Sequence, residues 1–315
     1  MLTRRRVVAA KIEGTEGTAE AITVADAGII TIDPKFDGDI KMYDRSNVKT
    51  ATLSKLESIP GQQMGTISFK AEVKGPGATY SALVKPALGT YLRACGFAEA
   101  VDITAGAEKV TYIPASSGIP SITIWLYEDG AVHKLKGARG TVSFSGKVGE
   151  PIFAEFKFTG VWDGSPALAM VTPTLEASRP PVFLNSTFTI DGYAAIPETF
   201  SVDMGNDIQM RSSPGTESGY VSALLNDRKP TGKLDPEMVL PAAYDFMGKW
   251  KSGAAGVLVI GPVGTGNYNK FTMGAPKCVY TKVGSGERSG LVTADLDLQL
   301  AMNTGDDEFK LEFVK

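Results

Sequence analysis

The sequence contains one histidine, two cysteines and no long apolar run in 315 residues, and each shortage removes a class of function. General acid/base and nucleophilic sites commonly draw on histidine. The single one, His133, follows the turn Glu128-Asp129-Gly130, where a solvated strand position is the ordinary outcome. Cys95 and Cys278 lie far apart with no CxxC pair, so they indicate neither a disulfide framework nor a structural zinc site. They read as small buried hydrophobes. Arg4, Arg5 and Arg6 are followed by only VVAA before Lys11 and Glu13, too short an apolar stretch for a secretion signal. Nothing approaches the roughly 18 apolar residues of a membrane span. The chain is therefore expected to stay in a cytosol-like compartment or to be released by lysis. An excess of positive charge is also missing. With 32 Lys and Arg against 35 Asp and Glu, a formal net charge of −3, there is no global basic field to hold nucleic acid phosphates.

What is present is a folding composition. Hydrophobic residues make up 43% and charged residues 21%, enough apolar material for real cores and too little charge for disorder. At roughly 100–200 residues per domain the length suggests two domains. Glycine, at 35 residues, exceeds the usual share of about 7%; it serves turns at positive φ, so many turns and short strands are expected.

Residues 1–60 read as an extended arm and loop attached to a first domain at 61–164, with Val24, Ile29, Ile30 and Ile32 as strand material. From Thr66 onward, Ile67, Phe69, Ala71 and Val73 alternate with Ser68, Lys70 and Glu72, the period of a half-buried strand. Gly75-Pro76-Gly77 ends it. Pro86 suits the first turn of a helix whose Leu88, Tyr91, Leu92 and Cys95 would bury one face, stopping at Gly96. Strand patterns follow at 110–113, 121–127, 141–145 and 152–159, with a hairpin at Asp129-Gly130. Four prolines at 166, 173, 180 and 181 mark residues 165–181 as a linker. The second domain, 182–315, carries strand patterns at 182–190 and 199–204, a long loop, a helix opened by Pro241 with Phe246, Met247 and Trp250 inward, and strands at 256–260, 277–281 and 291–302.

The order of elements repeats. Lys136-Gly137-Ala138, TVSFS, a glycine turn and IFAEFKFTG in the first half correspond to Met273-Gly274-Ala275, KCVYT, a glycine turn and LVTADLDLQL in the second. Each half also has a helix opened by Pro-Ala. A weak internal duplication is expected.

No motif demands catalysis. Gly261–Gly266 leads into NYNKFTMG, which is strand-like, whereas a phosphate loop or dinucleotide fingerprint must enter a helix; a glycine hairpin is the reading. The acids Asp203/Asp207 and Asp306/Asp307/Glu308 lack accompanying ligands for a metal or glycosidase site. Asp295 and Asp297 alternate with Leu296 and Leu298, placing both carboxylates on one face of a strand, either solvated or lining a channel. Phe144, Phe153, Phe156, Phe158 and Trp162 read as core packing. No catalytic, cofactor or metal residues are assigned.

The opening RRRVVAAKIEGTEGTAEAITVADAGI, then KPALGTYLRACGF, VTYIPASS and SITIWLYEDGAVHKLKGARGTVSFSGKVGEPIFAEFKFTG, resemble tail tube proteins of long-tailed bacteriophages. The likeness spans residues 5–164 and extends more loosely over the second half. It implies a mainly β fold of two tandem β-sandwich or barrel tube domains, each flanked by one α-helix. It further implies a structural, non-enzymatic virion protein that self-assembles into stacked rings, the hollow conduit for DNA ejection. In the duplicated form of the family three chains make a pseudo-sixfold ring; a plain hexamer is the other arrangement. The resemblance also implies tail terminator and distal tail proteins as partners, with the tape measure protein and DNA passing through the lumen without sequence-specific binding. Assembly would take place in the host cytoplasm, away from any membrane, and the length fits a non-contractile, siphovirus-type tail. Asp295 and Asp297 are candidate lumen-facing carboxylates. The alternative function class is a non-enzymatic β-sandwich surface or carbohydrate-binding module.

Overall fold

Period-2 alternation and frequent glycine turns give a mainly β chain with two short helices, seen in a computed structural model that describes Leu2 and residues 4–315. Met1 and Thr3 of the expected arm fall outside the described residues. The first half contains β1 (Arg6–Ile12), β2 (Thr31–Tyr43), β3 (Ile59–Glu72), α1 (Gly89–Ala94), β4 (Phe97–Asp102), β5 (Lys109–Pro114), β6 (Ile122–Glu128), β7 (Ala131–Lys147) and β8 (Phe153–Trp162). The second contains β9 (Phe188–Ile190), β10 (Tyr193–Ala194), β11 (Pro197–Asp203), β12 (Asn206–Ser212), β13 (Tyr220–Arg228), β14 (Thr231–Pro236), α2 (Phe246–Ser252), β15 (Ala255–Val263), β16 (Lys270–Arg288), β17 (Leu291–Leu300) and β18 (Lys310–Val314).

Pairing is antiparallel throughout the described strands. The first half runs in space β1-β6-β7-β8-β3-β2; the second runs β9-β15-β16-β17-β14-β11. In each the helix stands in the chain between the third and fourth of these strands, so the two halves share one strand order. The Gly-Ala motifs fall at matching places: Ala138 lies opposite Ile122 and Ala275 opposite Leu258. β4, β5, β10, β12, β13 and β18 are additions to this common plan.

The halves are joined by main-chain pairing rather than merely tethered. β11 adds to the edge of β7, with Val202 opposite Phe144 and Ser201 opposite Ser145, and β18 adds to β5, with Leu311 opposite Tyr112. Sixteen of the described strands form one open sheet. β2 and β10 remain as ends, so the barrel option is excluded and packed, twisted sheet layers remain. The core is likewise continuous across the halves. Phe69 meets Tyr91 of α1 edge-on and Phe156 and Phe158 meet it at a tilt, while Phe144 stacks on Phe309 of the second half with centroids 5.3 Å apart.

Several local expectations change. Arg6–Ile12 is not part of a free arm: β1 pairs along its whole length with β6, and Val8, Ala9 and Ala10 are buried, because a seven-residue apolar strand finds an open edge. Val24 lies in a 3-10 turn, Val24–Ala27. The segment 205–240 is no loop but carries β12, β13 and β14. Strand 182–190 shrinks to β9, and β4 and β18 were not legible. α1 starts at Gly89 rather than at Pro86, and Tyr91 and Leu92 within it and Leu88 and Cys95 at its caps are buried. α2 starts later than Pro241, at an Asp245 N-cap that accepts from the Gly248 N–H. Phe246 alone turns inward, whereas Met247 and Trp250 are 47% and 42% exposed. Tyr193, Tyr244 and Tyr280 already fill the space around Phe246, leaving no room for a second turn of apolar side chains. The proline-rich segment 165–181 docks along the first half: Val132 N–H donates to Pro166 O, and the buried Lys74 ammonium donates to the carbonyls of Glu176 and Ser178. Burial pushes the Glu176 carboxyl up.

Both cysteines are free and buried; burial raises the Cys278 thiol to about 11. The acidic group near the C-terminus has structural partners. Asp307 accepts from the N–H groups of Asn303, Thr304 and Gly305, and these bonds, with the Thr304 hydroxyl, hold its carboxyl at about 2. Asp306 is likewise lowered, by the Ser116 hydroxyl and the Arg228 guanidinium. Both carboxyls sit below their unfolded value of 3.8. Their contribution to stability is therefore complete only above about pH 5 and is lost progressively as pH falls from there toward 2. Protease cleavage in 303–308 is expected to accelerate across that window, and Asp307→Asn to cleave readily already at pH 6. Equal acid profiles for the two proteins would contradict this assignment.

Candidate functional site

The face that carries Asp295 and Asp297 is built by alternation running through both halves. One row of cross-strand neighbours, Ala71, Ala154, Phe144, Val202, Gly232, Leu298 and Tyr280, is buried. The next row, one residue along each strand and two along β16, where the register shifts between Tyr280 and Lys282, is Glu72, Phe153, Ser145, Ser201, Lys233, Asp297 and Lys282. Beyond the core row lies a further polar one, Lys70, Glu155, Ser143, Asp203, Thr231 and Gln299. Seven strands thus present a single polar face that crosses from β3 to β16 without a gap at the junction of the halves.

Its charges alternate in sign. Asp297 lies between Lys233 on β14 and Lys282 on β16, and Lys70 pairs with Glu155 at 3.3 Å. Leu296 and Leu298 are buried while Asp295 is exposed and Asp297 half-buried, so the two acids do share one face. The wall is not purely acidic, because lysines interleave with the acids strand by strand. Such a face holds polyanions weakly: its lysines stand on strands next to ones that carry acids, and interactions between exposed charges of this kind are screened by salt.

At the junction, packing demands a residue without a side chain. A Cβ on Gly146 would strike the ring of Phe200, so the β11 strand can approach β7 only because that position is glycine. At the end of the polar face the β12–β13 hairpin lies across the first half. Gly137, at φ +57°, leaves room for Ser222, Arg139 donates to the carbonyls of Ala223 and Ile119, and Gln62 donates to Ser212 Oγ at 3.1 Å. Beneath this hairpin the buried Glu13 accepts from Ser121 Oγ (2.6 Å), Thr123 Oγ1 (3.0 Å) and the N–H groups of Gly17 (2.8 Å) and Gly137 (2.7 Å). Sequence reading missed Glu13, because a lone Glu in a Gly-Thr segment carries no pattern.

His133 is half-buried rather than freely solvated. Its ring stacks on Phe36 at 4.3 Å, Nδ1 lies 2.7 Å from Ser165 Oγ and Nε2 3.2 Å from Glu128. The three residue types could pass a proton, yet each is engaged structurally: Ser165 accepts from Trp162 Nε1 and Glu128 pairs with Arg6 at 2.7 Å. The cluster ties segment 163–165 to the β6–β7 hairpin. Gly261–Val263 form the end of β15 and Gly264–Gly266 open its connection to β16, as the strand-like sequel requires. No described helix is long and apolar enough to cross a membrane.

The known families agree with this picture of a structural sheet. No curated protein matches the chain significantly. A family model described as phage tail tube protein matches residues 3–300. That match covers nearly the whole length and includes both halves with the polar face they share, so the chain belongs to the phage tail tube protein family, whose members are structural components of the virion tail.

Proposed function

We propose that this protein self-assembles into stacked rings that form the tail tube and conduct DNA during ejection. Each chain supplies two tube domains, 61–164 together with the strands of residues 1–60, and 182–315, so that three chains make a pseudo-sixfold ring. The observation that carries this reading is the β7–β11 junction. It joins two units of identical strand order edge to edge, through different surfaces on each unit, and a heterologous contact of that kind propagates into a ring when its rotation closes. On this reading the continuous polar face lines the lumen, with Asp295 and Asp297 on it, and its interleaved charges let phosphates slide past without holding them. Tail terminator, distal tail and tape measure proteins are the expected partners, with assembly in the host cytoplasm and a flexible, non-contractile tail.

Electron microscopy of concentrated purified protein is expected to show rings or tubes. A persistent monomer at high concentration would remove the reading. A map of the tube with Asp295 and Asp297 on the outer wall would remove the lumen assignment alone.

A further inference from the structure

The two helices differ in how the polar groups beside them are answered. Around α2 the Lys249 ammonium pairs with Asp191, and the hydroxyls of Tyr244 and Tyr280 lie 3.0 Å apart. Around α1 two groups have no partner among the described residues. The Tyr91 hydroxyl is buried and makes no hydrogen bond, an arrangement that is costly unless a guest answers it, and the Arg93 guanidinium makes neither a hydrogen bond nor an ion pair. Both residues line one cavity of about 260 Å³, whose other charged walls are Asp26, Lys85 and Glu99. Burial, and after it the Asp26 carboxylate, hold the Tyr91 phenol well above its usual range, so the hydroxyl end of the ring lies toward the Asp26 side of the cavity. The remaining charges are already engaged. Lys85 donates to Glu99 at 2.6 Å and Tyr112 to the same carboxylate at 2.9 Å, while Asp26 accepts from the N–H and the hydroxyl of Thr23, both at 2.7 Å.

We propose that this cavity binds a carboxylate, held by the Arg93 guanidinium and by a hydrogen bond from the Tyr91 hydroxyl. The two groups left over are both donors, so the guest has to bring acceptor oxygens. A guanidinium offers parallel N–H groups that match the two oxygens of a carboxylate. The acids on the walls select further: Asp26 and Glu99 oppose a doubly charged guest such as phosphate more than a singly charged one. Size agrees as well. A volume of about 260 Å³ is several times a single water's share of the liquid, about 30 Å³, and admits a small acid or the end of an acidic side chain. The same chemistry thus has two sources, a free small carboxylate or an acidic residue of a second polypeptide. The site does not depend on the ring reading.

Acetate is the probe. Thermal unfolding of the full chain in about 0.1 M sodium acetate is expected to lie about 2–4 °C above that in sodium chloride of the same ionic strength. Arg93→Gln and Tyr91→Phe are each expected to lose that increment, which separates binding at this cavity from a general effect of the salt. In chloride alone Tyr91→Phe should be no less stable than the native chain, because it removes a hydroxyl that lacks a partner. Carbodiimide treatment of concentrated Arg93→Lys protein distinguishes the two sources. An amide bond from Lys at position 93 to an acid of another chain assigns the guest to a second polypeptide; the acetate increment without that bond assigns it to a free carboxylate. An increment that persists in both variants, or the absence of both the increment and the cross-link, overturns the proposal and leaves the tube reading intact.

Discussion

Phe144→Ala is expected to destabilise both halves of the chain together, by about 3–5 kcal/mol, the usual cost of removing a buried aromatic ring. Phe144 is fully buried, faces Val202 of β11 across the junction and stacks on Phe309, so the cavity would open at the point where the halves share both sheet and core. Urea unfolding followed by hydrogen exchange should show amides of β8 and β17 losing protection at the same lowered midpoint. Phe309→Ala should produce a similar shift, and the double variant less than the sum of the two, because the rings contact one another. Two separate transitions, with β17 unaffected by Phe144→Ala, would mean that the halves are independent domains joined only by chain.

The second large effect is expected at Glu13. Glu13→Ala leaves two buried hydroxyls and two N–H groups without their acceptor, at a cost of about 3 kcal/mol or more given about 1–3 kcal/mol for each unsatisfied buried group. Glu13→Gln keeps one oxygen and presents an amide to the other donors, so an intermediate loss is expected. Thermal unfolding should rank the proteins native, Gln, Ala, with early exchange at the Gly137 amide in both variants. Equal stability of the Ala variant would show that water replaces the carboxylate at little cost and that the site does not hold the β12–β13 hairpin in place.

Much of the strand pattern was legible because period-2 alternation is local. Ile67–Val73, TVSFS and LDLQL announce which side of a sheet each residue takes, and the structure keeps those sides. α1 was legible through its four spaced apolar residues, although it starts at Gly89 rather than at Pro86. β12, β13 and β14 were not, since NDIQMRS and YVSALLND mix polar and apolar positions. Their pairing depends on where Gly205 and the neighbouring β7 direct the chain. Met247 and Trp250 were misplaced for a similar reason: helical spacing says which residues share a face, whereas the tyrosines around Phe246 decide which face finds space. Asp295 and Asp297 were put on one side of a strand, and there they stand, but the lysines on either side of Asp297 come from β14 and β16, distant in sequence.

By itself the sequence determined a mainly β chain with a repeated order of elements and a family resemblance, dense over the first half and looser over the second. These follow from composition, alternation and turn chemistry, all of which act within a few residues. Only the tertiary structure decided that the two halves have one strand order and that they share a sheet through β7 and β11. Strand pairing joins residues far apart in the chain through backbone groups that every residue carries, so which edges meet is written in no local motif and emerges only when the whole sheet is laid down.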